Sequence, residues 1–246
     1  LLEKINNGEE VELGDTVLIV GGGNVSVDMA RTARRLGCEK VIVAYRREEI
    51  DMPAYPEEVE EAKKEGVEFK FLLSPEEIIV EDGEAVGMVF TRTEMGEYTK
   101  GGRRKPVPVE NERVILEADS IVTAIGQEID TSFAEELADE ITNEERSLLE
   151  VDPYTLKTSH PKVFAGGDAV LGPATVIEAV GHGKKAAKAI DAELMGEDRL
   201  EELQNINNYD YSMEPPDNDQ YIPREELPSI PIEERECNFK EVIECV

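Results

Sequence analysis

Two residue clusters in this 246-residue chain have the types and spacing to handle phosphate and sugar groups. The first, Gly21-Gly22-Gly23-Asn24-Val25-Ser26, follows the apolar run Val17 to Val20 and precedes a helical pattern from Val27 to Leu36. A turn without Cβ atoms lets a pyrophosphate approach the backbone, where free N–H groups and the helix dipole neutralise it. The spacing from Gly21 is Gly-x-Gly-x-x-Ser, and Ser26 is small enough for close helix–strand packing. Such turns also occur without ligands, so the strand before it and the helix after it are what point to a nucleotide.

The next strand strengthens that reading. Lys40 to Tyr45 completes a βαβ unit, and its end usually carries an acid that binds a ribose 2′-hydroxyl. Here the residues are Arg46-Arg47. Two guanidinium forks suit a 2′-phosphate, which favours NADPH over NADH. Glu48 and Glu49 keep a second option open, because either carboxylate can accept a ribose hydroxyl instead.

The second cluster is Phe164-Ala165-Gly166-Gly167-Asp168, read as a strand ending in a carboxylate. Gly172-Pro173-Ala174-Thr175-Val176 then opens a helix with apolar positions at Val176, Ala179, Val180, Ala187 and Ile190. The carboxylate can accept hydrogen bonds from a sugar-alcohol chain while the helix amides face a phosphate or ring carbonyl. An Asp capping its own loop fits the residues equally well.

The elements that must position these clusters alternate strand and helix over residues 15–73, with an acidic helix from about Pro56 to Glu65 and a strand at Val67 to Leu72. Residues 78–116 change character to antiparallel strands, with an Asp82-Gly83 hairpin signal. A basic stretch, Gly101 to Pro106, reads as a loop, either flexible or a docking point for a partner. Ser120 to Gly126 reads as a buried strand running into glycine, and about Thr131 to Leu149 as a polar helix. Beyond Gly196 the chain is acidic and punctuated by proline, which suggests an extended tail, disordered or draped over something.

With 26 basic and 56 acidic residues, the net charge of −30 argues against nucleic acid or an anionic membrane as partners. No apolar run reaches the roughly 20 residues that span a bilayer. Cys38, Cys237 and Cys245 form neither a Cys-x-x-Cys pair nor a metal set, which fits a reducing cytoplasm and a packed thiol at Cys38. His160 and His182 stand alone, so a hydrolytic triad is unsupported. The first residue is not Met, and the start reads as an internal boundary.

Several segments recur together in one known arrangement: Gly22-Gly23-Asn24, Ala30-Arg31-Thr32-Ala33, Tyr45-Arg46-Arg47, Met52-Pro53-Ala54, Ala124-Ile125-Gly126-Gln127, Phe164 to Asp168 and Ala174 to Ala179. Over roughly residues 1–195 the set resembles the small subunit of NADPH-dependent glutamate synthase. The flavin- and NADPH-binding half of dihydropyrimidine dehydrogenase and subunits of electron-bifurcating transhydrogenases are similar. The resemblance implies an α/β protein: a Rossmann-like three-layer NADPH domain with an antiparallel β insertion, plus the C-terminal half of an FAD domain.

The boundaries implied are a lead-in at 1–14, the NADPH domain at 15–118 with its insertion at about 78–116, the FAD half at 119–196, and the tail at 197–246. The resemblance places Asn24, Val25, Ser26 and Val27 along the pyrophosphate, Arg46 and Arg47 on the 2′-phosphate, and Ala124, Ile125 and Gly126 at a strand end near the nucleotide. It places Gly167 and Asp168 on the flavin ribityl and pyrophosphate, and Thr175 and Val176 near the isoalloxazine ring. The family's first FAD βαβ unit and cluster cysteines have no counterpart here. The expected partners are therefore the remainder of the FAD domain and an iron–sulfur segment or subunit. The reaction implied is hydride transfer from NADPH to FAD, and no side chain is needed as acid or base. A nucleotide-binding or interaction module without turnover of its own is the alternative.

Overall fold

A computed structural model describes residues 1–99, 102–127, 130, 141–143, 148–195, 229–235 and 239. These fall into two compact units: residues 1–125, joined by the described C-terminal residues, and residues within 126–223.

The first unit opens on a short helix, α1 (Leu2–Asn6), and is built on a four-stranded parallel sheet. Strands β1 (Thr16–Val20), β2 (Lys40–Tyr45), β3 (Glu68–Phe71) and β7 (Ser120–Thr123) lie in the order β3-β2-β1-β7. Side chains alternate across a strand, so the uninterrupted apolar run of β1 feeds two cores. Val17 and Ile19 face α2 (Asn24–Arg35) and α3 (Pro56–Lys64), where they pack with Val27, Ala30, Ala33, Val59 and Ala62. Leu18 and Val20 face a three-stranded antiparallel sheet and pack with Leu73, Met88, Phe90 and Ala118. That sheet is β4 (Leu73–Glu81), β5 (Glu84–Tyr98) and β6 (Arg104–Glu117) in sequential order. Helices, parallel sheet and antiparallel sheet thus make three layers, as expected. Cys38 is buried, and burial pushes its thiol pKa up.

Several expectations need correction. Ser120–Thr123, read as the start of the second domain, pairs in parallel with β1, Val17 opposite Ser120 through Val20 opposite Thr123. It is partly exposed rather than buried, because it lies at the sheet edge. The basic loop is shorter than expected, since Arg104 already pairs with Tyr98 and Pro106 with Met95. In the tail, expected to be extended and either disordered or draped over something, Ile232–Glu234 form a helical turn and Arg235 is buried against α3. The rest of that tail lies outside the described residues.

Arg235 reaches α3 because an acid is buried there. Its Nη1 lies 2.5 Å from Glu61 Oε2 and 3.1 Å from Glu65 Oε1, and its Nε donates to the Ile230 carbonyl at 3.1 Å. Glu65 also receives Arg31, at 2.9 and 3.2 Å, and Arg35 at 3.7 Å.

The second unit holds a two-stranded ladder, β8 (Thr142–Asn143) with β9 (Leu148–Leu149), and the helices α4 (Asp168–Leu171) and α5 (Val176–Met195). The ladder replaces the end of the helix expected up to Leu149. The parts of that helix at 131–140 and 144–147 lie outside the described residues. The strand expected before Gly166 is a single bridge, Lys157 to Phe164. The apolar positions noted on α5, Val176, Ala179, Val180, Ala187 and Ile190, are exposed. Ala189 and Ala192 are buried, with His182, Lys185 and Ala186 half-buried above them. The preceding loop meets the helix where Gly166 and Gly167 lie against His182 and Ala179, and Lys185 Nζ ties down the Pro153 carbonyl at 2.5 Å. No helix among the described residues is long and apolar enough to cross a membrane.

Burial alone pushes the Glu65 pKa up, but the bonds and charge of Arg31, Arg235 and Arg35 outweigh it and hold the carboxyl below its ordinary value. A carboxyl depressed in the folded state stabilises above its unfolded pKa of about 4.3, and that contribution fades as pH falls through the lower folded value. Glu65→Gln, which strands buried guanidinium groups, is expected to cost about 3–5 kcal/mol at neutral pH. Urea unfolding against pH should show the gap between variant and wild type closing in acid. A constant gap would contradict this role for Glu65.

Candidate functional site

The strand order reverses between β1 and β7, and in open α/β sheets that point, at the carboxyl ends of the strands, is where ligands bind. Val20 leads there into Gly21, and the Ala124 amide donates to the Val20 carbonyl at 2.8 Å.

The three glycines differ in what they do. Gly21 has φ +151, donates to the Ala44 carbonyl at 3.0 Å, and a Cβ there would collide with the Ala124 carbonyl oxygen. A Cβ at Gly22 would stand 2.5 Å from the Tyr45 ring, and its carbonyl accepts from the Ala54 amide at 3.2 Å. Both are therefore required by the protein's own packing. At Gly23 the nearest atom to a Cβ is Pro53 Cγ at 4.0 Å, so this position is open to a ligand.

Gly23 caps α2, and its carbonyl accepts from the amides of Ser26 (3.0 Å) and Val27 (3.3 Å) and from Ser26 Oγ (2.7 Å). Ser26 and Val27 are fully buried. Those two residues, expected along the pyrophosphate, support the turn instead, because their amides are already bonded. The amides of Asn24 and Val25 remain as first-turn donors without an intrahelical partner, at the positive end of the helix dipole. Asn24 Oδ1 accepts from the Tyr55 amide at 2.9 Å, which fixes the segment after β2 against the turn.

The two arginines separate. Arg47 is only 9% exposed, and its Nε donates to the Arg104 carbonyl at 2.8 Å. Its Nε is thus committed to a structural bond to the antiparallel sheet, and its Nη1 lies 3.5 Å from the Tyr45 hydroxyl. Arg46 is exposed, with its carbonyl held by Thr93 Oγ1 at 2.8 Å, and among the described residues its guanidinium makes no hydrogen bond or ion pair. Tyr45, Pro53, Tyr55 and Arg104 shape the site without having been singled out as site residues from sequence. The tyrosine hydroxyl donates to the Asp51 carbonyl at 3.0 Å. Such contacts join distant segments and leave no local pattern.

Ala124 is half-buried at the strand end, and Ile125 beside it is exposed. Gly126, with φ +116, begins the second unit. In that unit Gly167 takes φ +63 and its amide donates to His182 Nδ1 at 3.1 Å, while Asp168 is exposed and has no hydrogen-bond partner for its carboxylate among the described residues. Thr175 and Glu178 form a capping box. Glu178 Oε2 accepts from the Thr175 amide (2.9 Å) and hydroxyl (2.7 Å), and these bonds hold the Glu178 carboxyl below its usual pKa. Thr175 therefore has a structural bond already, whereas Val176 is 79% exposed.

Parallel sheet, glycine turn and antiparallel layer define an α/β protein with the topology that dinucleotide-binding proteins share. The model of the pyridine nucleotide-disulphide oxidoreductase family matches residues 2–183, and the chain belongs to that family. It is 42% identical over 241 residues to the NADP(+)-dependent formate dehydrogenase subunit beta of Moorella thermoacetica, covering 93% of this chain and 33% of that one. It is 38% identical over 180 residues to the glutamate synthase [NADPH] small chain of Escherichia coli K12, covering 72% and 38%. The resemblance read from the motifs is borne out at this level. The chain spans about a third of the length of these curated relatives. Among solved structures, T. acidophilum thioredoxin reductase shares the fold with a TM-score of 0.58 and 23% identity, covering 73% of this chain and 53% of that one.

The glycines make opposite predictions. Gly22→Ala should overpack Tyr45 and cost about 1–3 kcal/mol in urea unfolding. Gly23→Ala should cost less than about 1 kcal/mol, and its methyl, in open space, should weaken binding of a pyridine nucleotide several-fold. Native nucleotide affinity in Gly23→Ala would contradict a ligand role for this open position.

Proposed function

We propose that this chain is the NADPH-binding part of a flavin-dependent oxidoreductase. The observation that carries this reading is the open Gly23 with the amides of Asn24 and Val25 at the carboxyl edge of the sheet, and the uncommitted Arg46 on the next strand end. The amides and helix dipole take the pyrophosphate. Arg46 takes the 2′-phosphate through charge-assisted hydrogen bonds. Ala124 to Gly126 border the nucleotide, with Ile125 offering an apolar surface. In the second unit Gly167 and Asp168 hold the ribityl and pyrophosphate part of FAD, and Val176 with the first turn of α5 meets its ring.

When bound, nicotinamide and flavin would supply hydride transfer from C4 to N5, and iron–sulfur centres of the assembly would supply one-electron exit. This chain's residues bind and orient them and supply no acid or base. The partner is the remainder of the FAD domain with an iron–sulfur segment or subunit. That these relatives are a subunit beta and a small chain supports membership of a larger assembly. The terminal acceptor is set outside this chain.

The test is reduction of the FAD-loaded complex containing this chain, followed as bleaching of the flavin absorbance. NADPH should be effective at lower concentration than NADH. Arg46→Ala should raise the NADPH requirement about tenfold, the equivalent of one charge-assisted bond, and leave NADH nearly unchanged. Arg47→Ala should act on both nucleotides alike, through stability. Equal losses for both nucleotides in Arg46→Ala would defeat the 2′-phosphate assignment.

A further inference from the structure

The sequence poses a conflict at the end of β2, where an arginine pair is followed at once by Glu48, Glu49 and Asp51. Acids at this place in a βαβ unit favour the unphosphorylated ribose and repel a 2′-phosphate. In the fold, each of the three carboxylates is paired. Lys63 Nζ lies 2.6 Å from Glu49 Oε1. Arg104 Nη2 lies 2.5 Å from Glu48 Oε2 and 2.6 Å from Asp51 Oδ2. The same Arg104 offers its carbonyl to Arg47 Nε at 2.8 Å. One residue of the antiparallel layer thus engages both acids and the second arginine, and Arg46 is left uncommitted.

We propose that Arg104 is a specificity-determining positioning residue, which restrains and neutralises Glu48 and Asp51 so that Arg46 meets a 2′-phosphate without an anionic rival. The proposal rests on the NADPH reading above. Counted with Arg47, which also contacts Arg104, the groups Arg46, Arg47, Glu48, Asp51 and Arg104 are net positive by one, and removing Arg104 takes that positive charge away. A phosphate monoester carries between about one and a half and two negative charges, so that difference falls on NADPH. The neutral 2′-hydroxyl of NADH instead gains two freed acceptors. Removing Arg104 should therefore reverse a preference rather than only weaken binding. Asp51 is close enough to matter, because its carbonyl accepts the hydroxyl of Tyr45, whose ring lies against Gly22.

The experiment is a fluorescence titration of the full protein with NADPH and NADH, in wild type, Arg104→Gln, and Arg104→Gln combined with Glu48→Gln and Asp51→Asn. Arg104→Gln is expected to weaken NADPH about tenfold and leave NADH unchanged or tighter. The triple variant should regain most of the NADPH affinity, which a merely structural role of Arg104 would not permit. Equal weakening of both nucleotides, or an unchanged preference in Arg104→Gln, overturns the proposal. If Arg104→Gln does not fold, Glu48→Gln with Asp51→Asn in the native background decides: NADPH should bind at least as tightly as to wild type, and weaker binding overturns the proposal. A wild-type protein that binds NADPH and NADH alike contradicts the NADPH reading itself, whereas an unchanged preference in Arg104→Gln contradicts only the role of Arg104.

Discussion

A carbonyl oxygen and an aromatic ring occupy the space where side chains at positions 21 and 22 would stand. Because Ala124 and Tyr45 close in on Gly21 and Gly22, the end of β1 is clamped between its two neighbouring strands. That clamp aims α2 so that Gly23 and the first free amides face the carboxyl edge of the sheet. Each glycine answers a separate demand: two serve protein packing, and the third leaves room for a ligand. The order is consequential, since the site exists only where the packing is already satisfied.

Around this point the chain resolves an electrostatic problem set by its own composition. On the proposed reading, a protein of net charge −30 presents a cationic patch to a phosphorylated nucleotide. It does so by pairing the local acids rather than by accumulating bases. Arg104 and Lys63 take up Glu48, Asp51 and Glu49, and Arg47 is spent on joining the parallel sheet to the antiparallel layer. The same tactic recurs at α3, where Arg31, Arg35 and Arg235 converge on Glu65 and fasten the C-terminal segment. Ion pairs here are chiefly devices of position.

What could be read from sequence was what has a local period. The strand–turn–helix around Gly21, the second strand, the acidic helix and the antiparallel insertion all announce themselves over short windows. The buried Ser26 also performs as its size suggested. What escaped is non-local. Ser120–Thr123 reads as a strand anywhere, and only the finished sheet reveals its place beside β1. Arg46 and Arg47 look equivalent as a pair, yet successive residues leaving a strand point opposite ways, so one is buried and the other exposed. In α5 the apolar positions Val176, Ala179, Val180, Ala187 and Ile190 are legible in the sequence, but that they are exposed while Ala189 and Ala192 are buried is not.

The central claim is that the pyrophosphate rests on the α2 amides opened by Gly23. Amide NMR of the isotopically labelled protein titrated with NADPH tests it most directly. The largest shifts should fall on Gly23, Asn24 and Val25, with Gly21 moving little because its amide is already bonded to Ala44. Saturable binding that leaves those three resonances in place would contradict the account.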